Sequence, residues 1–380
     1  MVTQLAMGIT VLIARYLGEK KEEQIGSIIG GGTVVFAAIS LVLFVIMVGF
    51  ARPIAVLMQA PEEAVGLTAA YIRICGAGIF FIVAYNVLSA IFRGLGDSNS
   101  PLLFVFVACI VNVVGDLVLV AGLGMDAMGA ALATVFAQAL SVVFAIVRLV
   151  KKGLPFTITG YDFRWNPQCG KFLQIGLPLA LQECLTQGSF LALCAFVNRL
   201  GLEASSGYGV ACKIVNFAML IPGALMQSTS SFVSQNVGAG EQKRAKKAMF
   251  TGIGIGLLVG CFAFSLVFFR GDLLAGIFSA DAAVVQRGYE YLKGFAPETL
   301  LTAVLFSMMG YFNGNGKTVW VMLQGLIQTL LVRLPFAYYM SIQPDASLTN
   351  IGLAAPISTA VGIVLNVAYF LYLEHAAKRS

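Results

Sequence analysis

The sequence predicts an all-α protein that crosses a membrane many times. Three observations predict it. Mean hydropathy is +0.89. Of the 380 residues, 59% are hydrophobic and only 11% charged, against about 25% charged in soluble domains, so there is too little polar surface to cover a water-soluble fold of this size. The apolar runs are also long, about twenty residues or more, enough for a helix to cross ~30 Å of hydrocarbon. A transmembrane barrel would instead show segments of about ten residues alternating with period two. Lipid requires every backbone N–H and C=O to be satisfied internally, and helices meet that demand segment by segment.

Eleven apolar segments follow one another. The first is short, 1–16, and the next four are 26–50, 66–91, 100–121 and 128–150. A polar connection, 151–171 (KKGLPFTITGYDFRWNPQCGK), carries Pro, Gly and charge and reads as a linker between two membrane halves. Six more segments are 172–196, 203–226, 246–270, 287–312, 318–341 and 350–373. No stretch is long enough for a soluble domain. The expected organisation is a first lobe over 1–150, a cytoplasmic linker over 151–171 and a second lobe over 172–380.

The net charge of +6 comes from loops between apolar runs, which argues against a nucleic-acid partner. Sixteen of the 24 Lys and Arg lie in alternate connections and at the C-terminus. These are Arg15, Lys20 and Lys21; Arg93; Arg148, Lys151, Lys152, Arg164 and Lys171; Lys243, Arg244, Lys246 and Lys247; Lys317; and Lys378 and Arg379. The other connections carry Arg52, Arg199, Arg270 and Arg287. The positive-inside rule then makes the linker and C-terminus cytoplasmic and the protein a multi-pass resident of the inner (plasma) membrane. Within segments, Arg73 and Lys293 are placed to snorkel to the interface. The seven cysteines (75, 109, 169, 184, 194, 212, 261) have no metal-ligand spacing and read as small buried side chains. No cleavable signal pattern opens the chain.

The chain matches itself at an offset of 220 residues. IARYLG (13–18) falls on VSQNVG (233–238), Ala60 on Ala280, and Tyr71-Ile-Arg73 on Tyr291-Leu-Lys293. Phe92-Arg-Gly94-Leu-Gly96 falls on Phe312-Asn-Gly314-Asn-Gly316. After a three-residue shift, Met128-Gly-Ala falls on Ile351-Gly-Leu. The basic loops coincide too, so the halves face the same way, as a parallel repeat about the membrane normal. The second half has six helices. Met1 falls on Ile221, within the second helix of the repeat, so the first lobe is expected to lack its first helix and half of its second, by truncation or a mis-called start.

Several stretches carry a family resemblance: ITVLIARYLGEKKEE, AIFRGLGDSNSPL, NVVGDLVLVAGLGMDAMGAALAT, IGLPLALQ, SSFVSQNVGAGEQKRA and YFNGNGKT. In this order and spacing the chain resembles bacterial multidrug and toxic compound extrusion (MATE) transporters over essentially all 380 residues. Each pattern is diffuse and none is diagnostic alone. The resemblance implies twelve helices in two six-helix lobes arranged as a V about a central cavity, here with a truncated first lobe. It implies a secondary antiporter, acting as a monomer, that exports amphipathic organic cations in exchange for inward H⁺ or Na⁺, without a cofactor. It implies no enzyme activity.

Ionisable groups at membrane depth are costly and so mark candidate sites. Asn112 and Asp116 stand four apart on one helix face, where an amide and a carboxylate can share a cation or pass a proton. They match the Asn/Asp pair that lines the first-lobe cavity in similar transporters, where it belongs to the coupling-ion site. An Asp merely hydrated at the outer interface is the simpler alternative. Glu183, with Gln182, Thr186 and Gln187, makes a polar patch within an apolar helix. Related transporters carry their functional Glu three residues later, where this chain has Thr186. Glu298 follows Pro297, which interrupts the backbone ladder. Relatives carry an acid one turn later, at Thr302. A Lys293–Glu298 ion pair is the plain structural alternative, and Lys213 and Arg333 are expected to neutralise Glu183 or Glu298. His375 lies past the last helix and reads as exposed.

The glycine runs Gly30-Gly31-Gly32 and Gly252/254/256 suit close helix packing. They are not phosphate loops, since no Lys-Ser/Thr follows. A lipid-linked-precursor flippase of the same superfamily would require cations lining its interior. A membrane enzyme would require clustered catalytic carboxylates or a metal-ligand set. A truncated transporter inactive by itself is the remaining alternative.

Overall fold

The computed structural model describes residues 1–58, 62–152, 157 and 159–377, and the matches and charges expected at Ala60, Lys378 and Arg379 lie outside them. The chain forms two compact units, Val2–Gly176 and Leu177–Ser380. In the first, α1 (Val2–Gly18), α2 (Glu23–Gly49), α3 (Ala51–Leu57), α4 (Glu62–Ala77), α5 (Ile79–Gly94), α6 (Asn99–Asp116) and α7 (Asp126–Lys152) follow in order. A π-helical turn, Leu117–Gly122, extends α6, and a 3₁₀ turn, Gly160–Asp162, precedes α8 (Pro167–Asn198), which runs on into the second unit.

The second unit continues with α9 (Leu202–Gly238), α10 (Gln242–Gly276), α11 (Ala282–Phe295), α12 (Glu298–Gly314), α13 (Thr318–Leu326), a π-helical stretch Ile327–Arg333, α14 (Leu334–Ser341), α15 (Leu348–Gly352) and α16 (Ala354–Ala377). Among the described residues eight helical spans are long and apolar enough to cross a membrane, or ten if each bent pair crosses once. The bent pairs are α4 with α5, at 50°, and α11 with α12, at 48°. Pro297 explains the second, because it has no N–H to continue the ladder.

The repeat read from sequence has a backbone counterpart inside each unit. Phe50 leaves helical geometry at φ −111°, ψ 21°, and Arg270, 220 residues on, does so at φ −134°, ψ 25°. The amide of Lys21 donates to the Tyr16 carbonyl at 2.9 Å, and that of Glu241 to Asn236 at 2.8 Å. These turns close different side chains with the same backbone hydrogen bonding.

The units divide after Gly176 and not at the polar linker. Glycines in α1 and α8 are the reason. A Cβ on Gly8 would strike the Phe172 carbonyl, and one on Gly176 the Leu5 carbonyl. The first turns of α8 are therefore held against α1 at backbone distance. The glycines of α2 divide between the linker and a neighbouring helix: Gly30 abuts the Asp162 backbone and Gly31 abuts Asn166 and Cys169, while Gly32 meets Ile9 of α1. Asp162 Oδ1 accepts from Ser27 at 2.7 Å, and Asn166 donates to the Ser27 carbonyl at 2.8 Å.

In the second unit, Gly252 meets Ser307 and Thr229, Gly256 meets Ala303, and Gly260 meets the Thr299 carbonyl. From α12, Gly310 and Gly314 meet the Met226 and Ser230 carbonyls of α9. Gly254 points into open space and takes no part. Among the cysteines only Cys169 is buried, while Cys109, Cys184 and Cys261 are exposed. They stand on outward apolar faces, where a thiol needs no burial inside protein. His375 is exposed as expected, but it lies in the last turn of α16 and not past the helix, because α16 continues to Ala377.

Candidate functional site

Both units carry clusters of polar side chains within apolar helices. In the first unit, Asn112 and Asp116 occupy the last two turns of α6, both half-buried. Asn112 donates to Thr134 Oγ1 of α7 at 3.3 Å, and Thr134 is itself tied to the Ala130 carbonyl at 2.9 Å. Asp116 Oδ1 is buried with no hydrogen-bond partner. The π-helical turn begins at the next residue, Leu117. Such turns shift backbone hydrogen bonding by one residue and recur at functional sites. The arrangement is an ordered amide beside a carboxylate oxygen with unused acceptor capacity.

The second cluster centres on Glu298, in the first turn of α12, where the helix dipole favours a carboxylate. It is only 4% exposed. Its Oε1 accepts from Thr359 of α16 at 2.8 Å, and its Oε2 has no partner. Arg333, also buried, brings Nη2 to 3.9 Å from Oε1 and Nε to 3.3 Å from Ser358 Oγ. Its guanidinium stands 5.6 Å from the Phe190 ring centre. Gln328 Nε2 donates to Thr359 at 3.0 Å and Gln324 Nε2 to Gln328 Oε1 at 2.6 Å. The result is a buried acid–base pair extended by hydroxyls and amides of α13, the π-helical stretch and α16.

Two expected pairings are corrected. Glu298 faces Arg333 and not Lys293. The 48° break before α12 turns the two residues apart, and Lys293 is exposed with its ammonium 4.3 Å from the Tyr289 ring centre. Lys213 pairs with neither Glu183 nor Glu298. It is exposed and stands 5.5 Å from the Phe278 ring centre.

Of the remaining candidates, Thr302 is buried and bonds back to the Glu298 carbonyl at 2.8 Å. The α8 patch meets the Glu298 cluster at its edge, where Gln182 lies against Gly325, the neighbour of Gln324. Glu183 accepts from Gln187 at 2.8 Å, and Thr186 bonds the Gln182 carbonyl at 3.0 Å. Glu183 and Thr186 are half-buried and Gln187 is exposed.

Sequence reasoning missed Gln324, Gln328, Ser358 and Thr359. One signal was available: Gln324 and Gln328 stand four apart in an apolar run, with Arg333 five residues later. Two amides and a cation on one buried helical stretch need partners from another helix.

Fold and site together define a multi-pass helical membrane protein of two similar units, each with polar side chains clustered within apolar helices. The chain belongs to the MATE family, whose model matches residues 1–118 and 178–339. It is 27% identical over 286 residues to the probable multidrug resistance protein YpnP of Bacillus subtilis (strain 168), covering 75% of this chain and 64% of that protein. It therefore spans just under two thirds of YpnP. It is 26% identical over 332 residues to the multidrug export protein MepA of Staphylococcus aureus (strain NCTC 8325 / PS 47), covering 84% of this chain and 72% of MepA.

Solved structures of similar fold include an outward-facing multidrug resistance MATE family transporter of the MOP superfamily. It has a TM-score of 0.94 and 21% identity, over 100% of this chain and 85% of that one. A MATE protein in complex with MaL6 gives a TM-score of 0.93 and 22% identity, over 100% and 86%.

Proposed function

We propose that the protein is a secondary active transporter that exports amphipathic organic cations in exchange for inward H⁺ or Na⁺. Membership of the MATE family and the names of its relatives support export. The observation that carries ion coupling is the partnerless, buried Asp116 Oδ1, one turn beyond an Asn112 already oriented by Thr134. A proton or a sodium ion bound there neutralises a carboxylate at membrane depth, which is favourable where an unpaired charge is costly. Occupancy of that site then biases the helix geometry and with it the affinity for the exported cation.

The α8 residues Gln182, Glu183, Thr186 and Gln187 are proposed to contact the exported cation, with Glu183 as its counter-charge. The protein is proposed to act as a monomer in the plasma membrane, with the 151–171 linker and the C-terminus cytoplasmic by the distribution of its basic residues. Proteoliposomes loaded with tetraphenylphosphonium test the reading. Efflux should accelerate under an imposed ΔpH or ΔNa⁺ and fall to the leak rate in Asp116→Asn. Gradient-driven efflux that survives Asp116→Asn removes this coupling site.

A further inference from the structure

In the first unit, the linker that follows α7 turns its side chains the wrong way round for a loop in water. Within Thr159–Pro167 (TGYDFRWNP), Asp162 and Asn166 face the protein. Asp162 Oδ1 accepts from Ser27 at 2.7 Å, and its Oδ2 accepts from the Thr159 amide at 2.8 Å. Asn166 donates to the Ser27 carbonyl at 2.8 Å. Just beyond, Gln168 donates to Gln24 at 3.0 Å and accepts from Tyr16 at 2.9 Å. The alternating aromatic residues face outward: Tyr161 is 81% exposed, Phe163 49% and Trp165 68%. Arg164, between the last two, is exposed as well. Asp162 is the only acid in the stretch. With its carboxylate turned inward, the outward face is aromatic and positively charged.

The depth at which the loop is held says what covers those rings. The 27 residues of α2 make a helix ~40 Å long, about 10 Å longer than the hydrocarbon it crosses. The loop is fixed to Ser27, Gly30 and Gly31 of α2, ~6–12 Å along the helix from Glu23. That is the boundary between headgroups and acyl chains, where Trp and Tyr rings settle. We propose that Thr159–Pro167 is a docking surface for anionic phospholipid. Tyr161, Phe163 and Trp165 sit among the upper acyl chains, and the Arg164 guanidinium pairs with a headgroup phosphate.

The clasp on Ser27 gives the loop its shape before lipid arrives. Lipid that binds only the clasped loop stabilises the clasp by mass action, so headgroup and clasp reinforce one another. The docking surface requires that the chain span a bilayer. It does not depend on the antiport reading or on the identity of a coupling ion.

Tryptophan quenching by brominated lipid, in nanodiscs of mixed phosphatidylcholine and phosphatidylglycerol holding the full chain, tests the proposal. The chain has two tryptophans. The Trp165 signal is therefore the difference between wild type and Trp165→Phe, and Trp320→Phe isolates it directly as a check. Bromine near the top of the acyl chain should quench Trp165 more than bromine near its end, and aqueous acrylamide should quench it weakly. At equal mole fraction, brominated phosphatidylglycerol should quench up to about fivefold more effectively than brominated phosphatidylcholine, the enrichment expected beside one arginine. Arg164→Gln should bring that ratio close to one and leave the shallow quenching in place. Asp162→Asn should weaken the shallow quenching at least twofold. A Trp165 open to acrylamide and blind to brominated lipid overturns the docking surface. A Trp165 shielded from both is covered by protein, a second copy included, and overturns the lipid as occupant. Equal quenching by the two headgroups overturns the anionic preference. Unchanged quenching in Asp162→Asn overturns the role of the clasp.

Discussion

Gly96 and Gly316 lie 220 residues apart and turn the chain with the same left-handed backbone, at φ 79° and φ 76°. The next amide closes each turn: Asp97 N–H donates to the Phe92 carbonyl at 2.9 Å, and Lys317 N–H to Phe312 at 2.8 Å. This is the glycine-terminated helix end, in which a left-handed residue lets amides satisfy the last carbonyls. Alanine at either position must hold a conformation that costs L residues about 1–2 kcal/mol. Gly96→Ala and Gly316→Ala are each expected to lower thermal stability by that amount, with Asn milder. Differential scanning fluorimetry in detergent checks it, and similar losses at the two sites are the specific expectation.

Gly294 is glycine for a different reason. A Cβ there would strike the Thr349 carbonyl, where α11 crosses α15. Overpacking of this kind costs typically 1–3 kcal/mol, so Gly294→Ala should destabilise the second unit. Gly209, within α9, has open space around it. Gly209→Ala should instead gain up to about 1 kcal/mol from helix propensity. The pair of variants measured side by side separates contact from conformation.

Asp162 gives the linker a pH dependence. The Thr159 amide donates to its carboxylate, Ser27 and the Thr159 hydroxyl add hydrogen bonds, and Arg164 adds its charge, and together these hold its pKa below the ordinary Asp value. A depressed carboxylate contributes stability that is present above its unfolded-state pKa and lost as pH falls through the folded one. Acidification should therefore release the linker from α2. Hydrogen exchange near Ser27 and Asn166 should rise on the acid side of the ordinary Asp pKa, and Asp162→Asn should show the faster exchange already at neutral pH.

Thr134 orients Asn112 through a 3.3 Å hydrogen bond. If Asn112 and Asp116 bind the coupling ion together, Thr134→Val loosens the amide without touching the carboxylate. Loss of one hydrogen bond, about 0.5–1.5 kcal/mol, corresponds to roughly a 2- to 10-fold higher ion concentration for half-maximal efflux. Maximal efflux should stay unchanged. Proteoliposome efflux against a graded ion gradient measures both.

The membrane fold was legible because bilayer burial writes itself into sequence as long apolar runs. Ten of the eleven expected segments fall on the eight spans and two bent pairs, and the short first one falls on α1. What escaped was local. The break at Gly78 has no proline to announce it. The segment expected to end at 226 continues as α9 to Gly238, because Thr229, Ser230 and Ser234 are polar in sequence yet buried in the structure. Small hydroxyls against glycine make tight helix contacts that hydropathy reads as an exit from the membrane.

The candidate sites were legible in part for a related reason. Asp116 and Glu298 stand out as acids in apolar runs, and such residues demand explanation wherever they occur. Their partners do not stand out. Thr359 is 61 residues from Glu298 and Ser358 is 25 from Arg333. Only the packing of α16 against its neighbours brings them together. Lys293 was the nearer guess by spacing, and the bend at Pro297 defeats it.

The glycine contacts among α9, α10 and α12 bear on stiffness. Where carbonyl and Cα meet with no side chain between them, there is no rotamer to slip and no gap for a lipid tail to enter. Three helices joined in that way act as one lever arm. Gly207 of α9 meets the Arg287 and Gly288 backbone of α11 in the same manner, so both limbs of the Ala296–Pro297 joint are clamped to one helix.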